Sequence, residues 1–113
     1  MVRIVFSQKD GFFQGFSTSG HAEYDEEGYD IVCAAVSALT QTALAGLLEQ
    51  LEAADAVQWK LEKGYLETEL PDGLGKKDRE TAQVLLKALC TGLTMIQKQY
   101  PDYVTVERKK NGR

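Results

Sequence analysis

Residues 30–48, DIVCAAVSALTQTALAGLL, decide the fold. Val32, Val36, Leu39, Ala43 and Leu47 recur at helical spacing and mark one face, which Leu44, Leu48 and Leu51 widen. Alanines 34, 35, 38 and 45 fill much of the remaining circumference. A helix this apolar all round lies at the centre of a core or at an interface. Asp30 is read as its N-cap, and the helix is expected to end near Ala53. Before it, the polar, glycine-containing run from Gly20 to Tyr29 reads as a loop.

Working outward, the flanking segments change period from 3.6 to 2. Val2, Ile4 and Phe6 alternate with Arg3, Val5 and Ser7, as in a half-buried strand. Asp10-Gly11 signals a hairpin turn, and Phe12 to Ser19 forms the returning strand, with a bulge expected at Gly15. Beyond the helix, Val57, Trp59 and Leu61 alternate as a third strand. Lys63-Gly64 turns it into a fourth, marked by Leu66, Thr68 and Leu70 and closed by Pro71-Asp72-Gly73. A second helix begins near Lys77 or Asp78, with Leu85, Leu89, Leu93 and Ile96 on its buried face. Pro101 follows it, and Tyr103 to Arg108 is the last strand. The order ββαββαβ predicts an α+β fold, two helices packed on a five-stranded, mainly antiparallel sheet.

With 113 residues the chain fits one domain, assigned to 1–107, and Arg108 onward is read as a solvated basic tail, 108–113. The 43% hydrophobic content excludes intrinsic disorder. A net charge of −4 and a pI near 5.0 argue against a protein that grips nucleic acid phosphates directly. Met1 to Gln8 alternates and does not read as a signal peptide. Thr40, Gln41 and Glu49 interrupt the best candidate for a membrane span. The expectation is a cytoplasmic protein without membrane contact. Cys33 and Cys90 fall in different predicted helices; free thiols are expected, with a bridge between them as the alternative. They and one histidine show no zinc spacing, and no metal or organic cofactor is expected.

His21, the single histidine, precedes Cys33 by twelve positions. With Asp30 as cap, Cys33 is the third helical residue, where free backbone N–H groups and the helix dipole favour a thiolate. The nine-residue loop 22–30 is long enough to bring the imidazole to the sulfur as general base, with early helical N–H groups receiving an oxyanion. Against this stands a plainer reading of Cys33 as a small buried hydrophobe. Asp30 either caps the helix, orients His21, or does both. Ser37, one turn after Cys33, either donates to sulfur or substrate or bonds back to the Cys33 carbonyl. Residues 23–27 hold four carboxylates, which form either a solvated loop or a lid hinged at Gly20 and Gly28. Gly20, Ala22, Tyr24, Tyr29 and Ala34 surround these groups and are the candidates for touching substrate. Cys90 reads as structural. A non-enzymatic protein-binding module and a redox-sensing thiol are the alternatives to catalysis.

The pairing of Gly20-His21-Ala22 with the block from Asp30 to Leu39 resembles the ribosomal-processing cysteine protease family, Prp, and the resemblance covers almost the whole chain. It implies a homodimeric bacterial endopeptidase with Cys33 as nucleophile, His21 as base, and Asp30 and Ser37 at accessory positions; the alternative it leaves is a non-enzymatic ribosome-assembly or protein-binding module. The implied substrate is the precursor of large-subunit ribosomal protein twenty-seven, whose N-terminal extension is removed after an apolar segment ending in two phenylalanines. The loop here is more acidic than the glycine-rich form of that family. Alanines and Gly46 on the first helix would permit close approach of a second copy.

Overall fold

The computed structural model describes residues 1–20 and 27–110, with the side chains of 27–29 left aside. Strands form where the sequence alternates. β1 (Val2–Lys9) buries Val2, Ile4 and Phe6 and turns Arg3, Val5 and Ser7 to the other face. Asp10 and Gly11 both take positive φ, 55° and 83°, which suits the strand twist of a two-residue hairpin leading into β2 (Phe12–Ser19). The bulge is present but its extra residue is Gln14: Ser7 pairs with Gly15 and Gln8 with Phe13. Gly15 has a different task. A Cβ there would collide with the Thr68 carbonyl oxygen of the neighbouring strand, so only glycine permits the approach.

α1 (Glu27–Gln50) follows β2, and a single 3-10 turn (Ala54–Ala56) leads to β3 (Gln58–Glu62) and β4 (Tyr65–Glu69). α2 (Lys76–Gln99) and β5 (Val104–Lys110) complete the ββαββαβ order. The sheet order is β3-β4-β2-β1-β5, antiparallel throughout except for the β1–β5 pair. Both helices contribute to one core with the sheet: Val32, Val36, Leu44 and Leu47 of α1, and Leu86, Leu89 and Leu93 of α2, join Phe6, Phe16 and Leu66. The opposite sheet face is polar. There Arg3 and Glu107 bridge β1 and β5 at 2.9 and 3.1 Å, which lowers the Glu107 carboxyl below its ordinary range.

Besides one-residue shifts elsewhere, three boundaries differ materially from the sequence reading. α1 begins at Glu27, so the expected loop to Tyr29 and the N-cap at Asp30 are both incorrect. An acid is favourable throughout a helix's first turn, so Asp30 fits equally as the fourth helical residue. β5 continues through Lys110, placing Arg108, Lys109 and Lys110 in a strand and not in a tail. Basic residues on an edge strand discourage pairing with another chain, which reconciles their charge with their conformation. Finally, α1 ends at Gln50, three residues early.

Asp78 accounts for that early end. Its carboxylate accepts the N–H groups of Glu52 and Ala53, at 2.8 and 2.9 Å, just past the α1 terminus. It is 6% exposed, in the first turn of α2, where the dipole also favours its charge. Asp78→Ala should lower folding stability by about 2–4 kcal/mol, since two charge-assisted bonds are lost and their donors stranded. A urea titration checks this, and a midpoint equal to the parent's would show that water replaces the carboxylate.

α1 also corrects the membrane reading. Asp30–Gln50 is a 21-residue helix apolar and long enough to cross a bilayer, despite Thr40, Gln41 and Glu49. The Thr40 hydroxyl is satisfied by its own helix, donating to Val36 O at 2.8 Å. In this fold the helix packs on sheet and α2, but Ile31, Ala34, Ala38 and Ala45 remain exposed. Gly46 faces Leu85 of α2, so its close approach is spent within the chain.

Candidate active site

Cys33 is carried on α1 between two core anchors, Val32 and Val36, each fully buried. It is 9% exposed and lines a cleft of about 560 Å³ between α1 and the β3–β4 hairpin. Helical spacing sets the α1 wall: Ser37 and Thr40 follow Cys33 at one and two turns, with Ala34 and Gln41 beside them. The facing wall is the hairpin from Leu61 to Leu66, turned at Gly64 with φ 76°. Thr18 of β2 also lines the cleft.

Thr18 was not legible as a site residue. It is 1% exposed, and its hydroxyl has no hydrogen-bond partner among the described residues. A buried hydroxyl of this kind costs free energy unless something bonds it. Thr68, on β4, has the same orphaned hydroxyl. Tyr65, on the hairpin wall, donates to Glu67 Oε2 at 2.7 Å. That bond, with burial and the Glu67 charge adding to it, raises the phenol above its usual value.

The helix start at Glu27 changes the electrostatics expected at Cys33. As the seventh helical residue, Cys33 lies beyond the four N–H groups that a helix leaves free, and beyond the turn where the dipole acts strongly. Its own N–H is therefore no oxyanion donor of the kind the sequence reading assigned. Ser37 is half-buried on the cleft wall, and the side-chain bond in this turn comes from Thr40 instead, reaching Val36 O and, at 3.4 Å, Ser37 O. Asp30 is exposed. Gly20 follows β2 with φ 86°, packed so closely on the Met1 carbonyl that a side chain would clash. His21, Ala22, Tyr24 and the acidic run 23–26 lie outside the described residues, as does the side chain of Tyr29.

Both cysteines are free thiols, so the alternative of a bridge falls. Among the described residues, no group of three or more His, Cys, Asp or Glu is placed to hold a metal ion. The cleft offers one thiol, hydroxyl-bearing side chains at Thr18, Ser37, Thr40 and Tyr65, and a wall formed by the hairpin.

Comparison with known proteins gives the family. The family model for cysteine protease Prp matches residues 1–105. The ribosomal processing cysteine protease Prp of Bacillus subtilis (strain 168) is 30% identical over 91 residues, covering 80% of this chain and 81% of that protein. The crystal structure of SMU.848 from Streptococcus mutans superposes with a TM-score of 0.79 at 30% identity, covering 98% of this chain and 96% of the other. The essential ribosomal processing protease Prp from S. aureus, solved with a substrate peptide, also gives 0.79, at 20% identity over 96% of this chain and all of that one; it attests the fold. Matched by that family model over residues 1–105, and 30% identical to a relative over four fifths of both chains, this chain belongs to the cysteine protease Prp family.

Proposed function

We propose that this protein is a bacterial cytoplasmic endopeptidase that removes the N-terminal extension of large-subunit ribosomal protein twenty-seven. In this reading Cys33 attacks the peptide carbonyl, the C–N bond breaks as His21 protonates the amine, and water then resolves the acyl-enzyme with His21 as base. The observation that carries it is the position of Cys33 on the wall of a cleft large enough for several residues of peptide. The S. aureus protease has been solved with a substrate peptide and with a covalently linked product peptide, and a covalent link is what a nucleophilic thiol would form. Gly20, which immediately precedes His21, lies two residues past Thr18 of the cleft. Incubating the purified protein with the full-length precursor tests the reading. A single shortened product supports it, and an intact precursor after prolonged incubation contradicts it.

Thr18 has a place in this scheme. A bound peptide that opens the cleft floor would offer this buried, orphaned hydroxyl a backbone partner. Thr18→Val should lower kcat/KM by about 5–30-fold while leaving stability unchanged or slightly raised, since a buried unpaired hydroxyl is removed. Steady-state rates together with a thermal melt check it; an unaltered rate would make Thr18 mere packing.

The protein is also read as a homodimer. Ile31 is 58% exposed, and the exposed alanines 34, 38 and 45 continue its apolar face along α1. Trp59 and Leu61 on β3, 50% and 48% exposed, add a further apolar area beside the cleft. Sedimentation at micromolar concentration should give about twice the 12.5 kDa chain mass. A monomer mass there would remove the dimer.

A further inference from the structure

A second cavity of about 560 Å³ lies away from Cys33, between α2, the β1–β2 hairpin and β5. Its α2 wall carries Lys87, Thr91, Thr94 and Lys98, spaced four, three and four residues apart and therefore on one helix face. Arg108 enters from β5. Its guanidinium lies 5.5 Å from the Phe13 ring centroid, and its Nη2 donates to Cys90 Sγ at 3.7 Å. Those contacts fix the orientation of the arginine before any ligand arrives.

Charge makes the cavity unusual. The chain has 17 acidic residues against 13 basic ones, yet no Asp or Glu lines this pocket. Lys87, Lys98 and Arg108 enter no ion pair among the described residues. Three uncompensated cations around one concavity give it a positive potential, which favours an anion. The lysines are rooted about 16 Å apart along α2, from the helical rise per residue. An elongated anion meets all three cations better than a compact one. A planar guanidinium, two ammonium groups and two hydroxyl donors match phosphate oxygens. The volume falls in the range of small-molecule sites, roughly 300–1,000 Å³.

We propose that this pocket binds a small organic anion bearing a chain of two or three phosphates. The site is independent of the cleft at Cys33 and of the peptidase reading.

Calorimetric titration of the full chain with sodium tripolyphosphate, sodium orthophosphate and a single-stranded oligouridylate tests it, beside a Lys87→Gln/Lys98→Gln double variant. Both lysines are exposed, so the variant keeps its fold and changes only charge. Tripolyphosphate should bind saturably at one site, about tenfold or more tighter than orthophosphate, and weaken by about tenfold or more in the variant. Lys60→Gln, on β3, should bind as the parent does. No saturable heat, equal binding by parent and double variant, or tighter binding of the oligouridylate than of tripolyphosphate would each overturn the proposal.

Discussion

Cys33→Ala should reduce peptide cleavage by at least about 10⁴-fold while the melting temperature moves by only a few degrees. The size of the first effect follows from the proposed role: a nucleophile at Cys33 has no substitute on the cleft wall, because Ser37 lies a full turn further along α1 and Cys90 is in another helix. Removing a catalytic nucleophile costs several orders of magnitude in enzymes where it has been measured. The smallness of the second follows from packing. Cys33 keeps 9% of its surface open to the cleft, and its neighbours Val32 and Val36 hold the helix on the core. Losing one sulfur at such a boundary costs about 1 kcal/mol, far less than truncating a buried leucine. A progress curve and a melt on the same preparation separate the two. Cleavage within tenfold of the parent would place the nucleophile elsewhere.

His21→Ala should have a smaller effect, a loss of about 10²–10⁴-fold. The asymmetry comes from the chemistry of sulfur. A thiol is intrinsically nucleophilic and partly ionised without help, whereas an alanine at position 33 offers nothing. The remaining rate should climb as pH is raised, because hydroxide then takes over the proton transfer proposed for the imidazole. A rate–pH series on both proteins shows it. The parent reading fails if the variant matches the parent near neutrality. It fails equally if the residual rate falls as the solution becomes alkaline.

Local features of this fold were legible in the sequence, and non-local ones were not. The Asp10-Gly11 turn and the Val2/Ile4/Phe6 alternation are properties of neighbouring residues, and both appear in the structure as read. The α1 start was misplaced because Asp is as favourable inside a first turn as at its cap, so Asp30 could not discriminate. Trp59 and Leu61 alternate like half-buried strand residues, and by register they share a face with Thr68 and Leu66. They are nonetheless exposed, because β3 is the sheet edge. Alternation reports which face a residue takes, not whether anything covers it.

The site divides in the same way. Cys33, Ala34 and Ser37 line one cleft as their helical spacing required. The facing hairpin and Thr18 come from 15 or more residues away in sequence, through the β2–β4 pairing, and nothing local marks them. Asp78 is the sharpest case: an acid near a helix start is unremarkable in sequence, while its bonds reach back to Glu52 and Ala53. The buried Gln83 amide is similar, exchanging hydrogen bonds with the backbone of Phe13 at 2.9 and 2.8 Å. Both hold α2 in place, and neither leaves a periodic signal.

The most direct measurement is mass spectrometry of a peptide that spans the extension and the start of mature ribosomal protein twenty-seven, incubated with the parent and with Cys33→Ala and quenched in acid. The account predicts one cut after the double phenylalanine, made only by the parent, with the transient acyl adduct mapped to the tryptic fragment that holds Cys33. Equal cleavage by both proteins, an adduct on another residue, or an uncut peptide would contradict it.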